Sequence, residues 1–296
     1  MQSMTIQSPS KINLTLDVLS LREDGFHSVA TVMQSISLAD EISLSQSETS
    51  GIRITCSDLE IPTDERNLAH KAASAIIIYS NIDTGVDIHL DKFVPSQAGL
   101  GGGSSNAAYT LLGMNKLYDL NISNEDLARI AASLGSDVPF FIRGGTCVCR
   151  GRGELVKPLP DIEPIHIVVV RPDAAVSTPR AYQLLDTIPD RSSARNSGRM
   201  VDAIVEINSE RIISTLSNDF EPAILPDQLN IALAFDDMMM ARAINVRLCG
   251  SGSAVFGVFP SQETALTAAN LLSRKYSKVF PCRTLSRLES GIQIHE

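Results

Sequence analysis

The tightest constraint on this chain is a run of glycines set between two elements of different period. Residues 95–108 read Pro-Ser-Gln-Ala-Gly-Leu-Gly-Gly-Gly-Ser-Ser-Asn-Ala-Ala, and Gly99, Gly101, Gly102 and Gly103 fall within five positions. Upstream, Val86 to Val94 alternates apolar and polar residues as a half-buried strand does. Downstream, Ala107 to Leu120 reads as a helix. Glycine has no Cβ, so the intervening loop can take positive φ and let a ligand approach the backbone. A strand, a glycine loop and a helix N-terminus bring unpaired N–H groups and the positive end of a helix dipole to one point, which favours an anion. Phosphate is the leading ligand, although such a loop taken alone fits a plain tight turn equally well. It is not a Walker A loop, because no Gly-Lys-Ser/Thr closes it. Nor is it a dinucleotide fingerprint: the third glycine is misplaced, and the next element looks helical rather than a strand ending in an acidic residue.

Composition narrows the class. The chain has 296 residues, enough for two domains, with 44% hydrophobic and 20% charged residues, so a sizeable core is expected. A net charge of −9 argues against a nucleic-acid partner, while leaving room for a local basic pocket around an anionic substrate. Five cysteines without a CxxC pair point to reduced, buried thiols rather than zinc or disulfides. The histidines show no HExxH spacing. The N-terminal residues do not resemble a cleavable signal, and no apolar run is long enough for a membrane span, so a cytoplasmic protein without a membrane partner is expected.

In chain order, Thr5 to Ser20 alternates as a strand that Pro9 interrupts, which predicts an edge or a bulge. Lys11 and Asn13 share one face of it, Ile12 and Leu14 the other. Taken in isolation, Lys11 reads as a solvated edge lysine. Arg22-Glu-Asp-Gly-Phe-His27 is a charged turn; Phe26 is either a core anchor or, with His27, a patch for a nucleobase. Ser28 to Leu44 and Gly51 to Cys56 supply strands, and Asn67 to Ser80 a helix with an apolar face. Ser123 caps a helix to Leu134, with Asp126 at the capping-box offset and Gly135 suited to a left-handed C′ position. Asp137 precedes Val138 to Ile142, an apolar run read as strand-like; it is either a bland helix-end residue or, beside a lysine in a phosphate cleft, a base. Gly144 to Glu154 reads as a hairpin and return strand. Prolines near 155–161 place a domain boundary there, giving domains 1–157 and 158–296. In the second half, Ile165 to Val170 is a strand, and Ser177 or Thr178 caps a helix carrying Tyr182. Asp186 to Gly198 reads as a mobile loop, and Gln228 to Ile244 as a helix with Met238 to Met240 as core filler. Asn245 to Phe259 is a hairpin bent around Gly250 and Gly252. Ser261 to Lys275 is a helix and Lys278 to Leu285 a closing strand.

Three blocks together carry a resemblance: Ser8-Pro-Ser-Lys-Ile-Asn-Leu, the glycine loop, and Leu248-Cys-Gly-Ser-Gly-Ser-Ala-Val-Phe. In order and spacing, over essentially the whole chain, they resemble the GHMP kinases. Pro-Ser-Lys-Ile-Asn-Leu-Thr-Leu, Arg-Glu-Asp-Gly-Phe-His, Leu-Gly-Ser-Asp-Val-Pro-Phe-Phe and Asn-Asp-Phe-Glu-Pro narrow it to one branch. That branch comprises the ATP-dependent kinases that phosphorylate the 2-hydroxyl of a cytidine-diphosphate-linked methylerythritol, on the non-mevalonate route to isoprenoids.

The resemblance implies an α+β, two-domain fold, with a ribosomal S5 domain 2-like N-terminal part and a ferredoxin-like C-terminal part. It implies that ATP lies on Pro95, Gly99, Leu100, Gly101, Gly102, Gly103, Ser104 and Ser105, with Asn67 and Lys92 near the adenosine. Mg²⁺ is expected as cofactor, held in part by Ser104 or Ser105. Lys11 and Asp137 would be the catalytic pair, and Asn13 would orient them. Phe26 and Tyr182 would sandwich the cytosine while His27 reads its edge, with Thr178 nearby. A monomer or homodimer is expected. The rivals are a homoserine or mevalonate type of GHMP kinase, and a non-catalytic ligand-binding relative. Two departures stand out: Phe26 where the family more often has Tyr, and Asn106 where many members have Asp. Cys147-Val-Cys-Arg150 matches nothing in the pattern.

Overall fold

A computed structural model describes residues 2–188, 195–292 and the backbone of 294–295. The first half is built on two long strands, β1 (Ser3–Leu21) and β2 (His27–Ser47), antiparallel and joined by the 22–26 turn. β3 (Gly51–Cys56), α1 (Leu68–Ser80), β4 (Gly85–Asp91), α2 (Gly102–Leu117), α3 (Asn124–Leu134), α4 (Val138–Arg143), β5 (Thr146–Gly151) and β6 (Leu155–Pro158) follow. β4 pairs with residues 41–47 of β2 and β5 with residues 29–34, so β2 is flanked twice along its length. α1, α2 and α4 cover one face, where Ile42, Leu44, Ile88 and Leu90 meet Ala73, Leu111 and Phe140.

Pro9 marks a bulge, as its missing N–H requires. The pairing jumps from Pro9↔Ala39 to Ser10↔Ile36, leaving two extra residues on β2. Such a bulge re-aims the residues beyond it. Before it, Ile6 and Ser8 point to the helix side: Ile6 joins that core and Ser8 bonds Ser105 of α2. Beyond it the alternation inverts. Ile12 and Leu14 now meet the second sheet, while Lys11 and Asn13 turn to the helix side.

The second half places β7 (His166–Val170), β9 (Asn245–Leu248), β10 (Val255–Phe259) and β11 (Val279–Arg283) in one antiparallel sheet of order β11-β7-β10-β9. With helices between β7 and β9 and between β10 and β11, this is the βαββαβ arrangement of a ferredoxin-like fold. The helices are α5 (Thr178–Asp186), α6 (Asn196–Val205), α7 (Ser209–Thr215), α8 (Glu221–Asp227), α9 (Leu229–Met240) and α10 (Gln262–Leu272). Two short strands, β8 (Ser217–Asn218) and β12 (Ile294–His295), return to pair with β1. Ile12, Leu14, Val32 and Ile36 of the first sheet pack with Ile167, Val169 and Phe256 of the second.

Several expectations are corrected. Residues 138–143 form a helix, not a strand, and Pro139 sits in its first turn, where proline's missing N–H is harmless. α2 begins at Gly102 rather than Ala107 and ends at Leu117. Gly135 has φ 172°, extended rather than left-handed. Of the expected loop at 186–198, Asp186 closes α5 and Asn196 opens α6, and residues 189–194 lie outside the described residues. Only Met238 is core; Met239 and Met240 are exposed. Phe26 is 56% exposed and anchors no core. Lys11 is 4% exposed, so the solvated-edge reading fails. The cysteines are free thiols, and burial pushes Cys147 and Cys249 up to about 12. No helix among the described residues is long and apolar enough to cross a membrane.

Candidate active site

The glycine loop is shaped from both sides. Gly99 and Gly101 have φ of +77° and +71°. A Cβ on Gly99 would lie 1.8 Å from the Cys249 carbonyl oxygen; one on Gly101 would lie 2.9 Å from the Phe141 ring and 3.2 Å from Lys11 Cγ. Both positions are therefore glycine for steric reasons within the protein. Gly103 differs, since its Cβ would find only Leu68 Cδ1, at 3.9 Å. Ser105 N–H closes the first intrahelical bond, to Gly101 O at 2.8 Å. The N–H groups of Gly102, Gly103 and Ser104 thus project from the helix start, and the N-cap, Gly101, has no side chain to cover them. Pro95 and Leu100 are buried and brace the loop.

Lys11 reaches this point from β1. Its N–H donates to Leu100 O at 3.0 Å, tying strand to loop. Its Nζ donates to Asn13 Oδ1 at 2.8 Å and lies 3.6 Å from Asp137 Oδ2. Asn13 Nδ2 donates to Thr31 Oγ1 at 2.8 Å, and Thr31 donates on to Thr15 O at 2.6 Å. Asn13 is thereby locked with its oxygen toward the ammonium. Asp137 opens α4 but spends no bond on capping it, and about a third of its side chain is exposed.

The turn between β9 and β10 closes the third side. Ala254 N–H donates to Ala98 O at 3.2 Å, and the Cβ position of Gly250 is 3.4 Å from Lys11 Nζ. Asn218 fixes this turn, donating from Nδ2 to Leu248 O at 2.9 Å and Gly250 O at 2.7 Å. Glu221 accepts from Leu248 N–H at 2.9 Å, and burial pushes its carboxyl up to about 6. The three sequence blocks thus meet at one place.

Other expected site residues have different surroundings. Asn67 caps α1, accepting from Ala69 N–H and donating to Pro62 O, so its side chain is engaged within the protein. Lys92 is half-buried as a residue, with its side chain 5% exposed and paired with Asp40. Ser105 donates to Pro9 O at 2.6 Å and is fully buried, which removes it as a metal ligand; Ser104, half-buried on the same turn, remains. Among the described residues no cluster of three or more His, Cys, Asp or Glu could hold a metal.

His27 and Tyr182 do come together, but face to face, at 4.9 Å between ring centroids and 14° between planes. His27 Nε2 bonds Asp186 Oδ1 at 3.0 Å, so that nitrogen is engaged within the protein. Tyr182 also packs edge-on against Phe220, and burial pushes its phenol up to about 12. Phe26 exposes its ring, with the Arg152 guanidinium 5.3 Å from its centroid. Thr178 Oγ1 lies 3.2 Å from Ser251 Oγ. Sequence reasoning missed Asp40, Arg152 and the role of Asn218. Of these only Asp40 carried a signal, as a charge in phase with Ile36, Leu38, Ile42 and Leu44.

The GHMP kinases N terminal domain family matches residues 67–145. A curated relative from Geobacter metallireducens, named 4-diphosphocytidyl-2-C-methyl-D-erythritol kinase, is 38% identical over 273 residues, covering 92% of this chain and 95% of its own. The chain belongs to the 4-diphosphocytidyl-2-C-methyl-D-erythritol kinase family. A second member of the family, from a Synechococcus species, is 38% identical over 288 residues, 94% of this chain and 92% of its own. A crystal structure of a 4-(cytidine 5'-diphospho)-2C-methyl-D-erythritol kinase superposes with a TM-score of 0.79 at 32% identity, covering 95% of this chain and 99% of that one. A homoserine kinase from Cytophaga hutchinsonii superposes equally well, at 0.79, over 100% of this chain and 98% of its own. Its 20% identity makes that a likeness of fold alone. As a family member, this protein is an ATP-dependent small-molecule kinase with the two-part GHMP fold.

Proposed function

We propose that this protein transfers the γ-phosphoryl group of ATP to the 2-hydroxyl of 4-diphosphocytidyl-2-C-methyl-D-erythritol, giving the 2-phosphate and ADP on the non-mevalonate route to isoprenoid precursors. One observation carries the mechanism: Lys11 Nζ and Asp137 Oδ2 stand 3.6 Å apart beside the uncapped N-terminus of α2. Phosphoryl transfer asks a protein mainly for alignment and charge neutralisation. The N–H groups of Gly102, Gly103 and Ser104 bind the ATP phosphates. Asp137 accepts the proton of the attacking hydroxyl, and the oxygen then bonds to the γ-phosphorus as the bond to ADP breaks. Lys11, held by Asn13, steadies negative charge on the transferring group. Mg²⁺, when bound, neutralises phosphate charge, and Ser104 supplies the protein hydroxyl.

The cytosine stacks on the exposed ring of Phe26. Tyr182, backed by His27 and Phe220, forms the facing wall near Thr178, and the free edge of His27 lies alongside. We read the chain as domains 1–157 and 158–296 meeting at this site, in a cytoplasmic monomer or homodimer with no nucleic-acid partner. The homoserine and mevalonate kinase readings are disfavoured by the identity with the cytidylyl family, and the non-catalytic reading by the intact Lys11–Asp137 pair. ADP formation with the cytidylyl substrate, homoserine and mevalonate in parallel tests the proposal. Turnover is expected with the first alone; turnover with homoserine or mevalonate instead would overturn it.

A further inference from the structure

β2 buries a charge where its pattern calls for an apolar residue. Ile42 and Leu44 face the helix-side core, and Asp40 falls in the same phase with 0% exposure. A carboxylate without partners there would be costly, and buried charges persist when paired and hydrogen-bonded. Asp40 is fully engaged. Oδ1 accepts from the N–H groups of Phe93 and Val94, both at 2.8 Å. Oδ2 accepts from Asn106 Nδ2 at 3.0 Å and from the Lys92 ammonium, whose side chain is 5% exposed.

The partners of Asp40 lie under the start of α2. The Cβ position of Gly102 is 3.1 Å from Val94 Cγ1 and 3.5 Å from Lys92 Nζ. Asp40 therefore holds both the wall beneath the first turn and the positive charge beside it. Asn106 completes the arrangement. Its Oδ1 accepts from Lys92 at 2.8 Å while its Nδ2 donates to Asp40 and, at 3.2 Å, to Ser8 Oγ. The chain continues from Ser8 to Ser105 at 2.7 Å and from Ser105 to Pro9 O at 2.6 Å. The amide accepts from the lysine through its oxygen and donates to the carboxylate through its nitrogen, which an ionised carboxylate at this position could not do. An aspartate at 106 would place a second negative charge against Asp40.

We propose that Asp40 is a positioning residue for ATP, which fixes the Lys92 ammonium under the first turn of α2 where the phosphates bind. This rests on the kinase reading above and deepens it. Asp40 and Asn106 take two of the three ammonium protons, so the lysine is oriented and its remaining proton is available to a phosphate. The charge of Lys92 adds to the helix N-terminus at that point.

The test uses Asp40→Asn, Lys92→Met and the double variant in the full chain. Binding of a non-hydrolysable ATP analogue is measured by calorimetry, alongside thermal stability and the KM for each substrate. Asp40→Asn keeps an acceptor for the Phe93 and Val94 amides but strands the lysine. Each single variant is expected to bind the analogue roughly ten-fold or more weakly, the scale of one lost charge-assisted hydrogen bond, with the KM of the cytidylyl substrate within about two-fold. The single variants are also expected to lose thermal stability, because each leaves one buried charge unpaired. The double variant removes both charges, so its stability is expected to recover while ATP affinity stays low. If stability and ATP affinity recover together, Asp40 is only a packing residue and the proposal is wrong. Unchanged ATP affinity in the single variants would also overturn it. If a single variant does not fold, the double variant decides. Because the analogue binds without acceptor, failure of wild type on the cytidylyl substrate would refute the substrate reading and leave this test intact.

Discussion

Replacing Gly103 with alanine separates the two reasons a loop can need glycine. At Gly99 the reason is internal: an alanine would sit at φ +77° with its Cβ 1.8 Å from a backbone carbonyl. That costs about 1–2 kcal/mol for the left-handed backbone and about 1–3 kcal/mol for the overlap. Gly103 has no such demand, since it is helical and its Cβ would touch one leucine methyl at 3.9 Å. Glycine in a helix gives up about 0.5–1 kcal/mol against alanine, so on protein grounds Gly103→Ala is neutral or stabilising. The Tm is expected to hold or rise by about 1–3 °C. The glycine is explained only if a ligand comes up to the backbone there. Losing one N–H to phosphate contact costs about 1.5–3 kcal/mol, so the KM for ATP is expected to rise roughly ten- to a hundred-fold. Thermal melts and ATP-dependent initial rates on Gly103→Ala and Gly99→Ala together read this out. A Gly103→Ala enzyme with an ordinary KM for ATP would refute phosphate binding at this turn, and a lowered Tm would refute the steric reasoning.

Phe26→Ala is expected to raise the KM for the cytidylyl substrate about ten-fold or more with an unchanged Tm, from loss of about 1–3 kcal/mol of stacking by an exposed ring; an unchanged KM would remove Phe26 from the base site. Tyr182→Ala is expected to raise the same KM but also to lower the Tm, because that ring packs on His27 and Phe220; a KM effect without a stability effect would contradict the packing. Glu221 titrates near 6 in the folded protein because it is buried, against an ordinary value of 4.5. The native state therefore binds more protons than the unfolded chain in that window, and stability falls as pH rises through it. Wild type should lose about 2 kcal/mol relative to Glu221→Gln between about pH 4 and pH 7.5 in urea unfolding, and a constant difference would show that the carboxyl is not perturbed.

Much of the site was legible because its parts are local. The glycine loop announces itself in seven residues, and Lys11 and Asn13 share a face by the two-residue period. What was not legible depends on contacts distant in sequence. The facing of Lys11 toward the loop, rather than toward solvent, is set by the bulge at Pro9, whose size depends on β2. The run 138–142 is too short for its period to distinguish strand from helix, and Pro139 in the first turn was the available clue. The stacking of His27 on Tyr182 and the latch of Asn218 on the β9–β10 turn join different elements, and no spacing rule links them. α6 and α7 were not foreseen, although Asn208 caps the second of them.

Proton removal from the attacking hydroxyl rests on Asp137, and the turnover of Asp137→Asn, with binding of both substrates measured alongside, tests that role. The carboxylate caps nothing and stands 3.6 Å from Lys11, so the amide should preserve the fold and both affinities. Turnover is expected to fall by roughly 10²-fold or more, the effect of removing a positioned base. Near wild-type turnover, with both substrates bound as before, would contradict the mechanism.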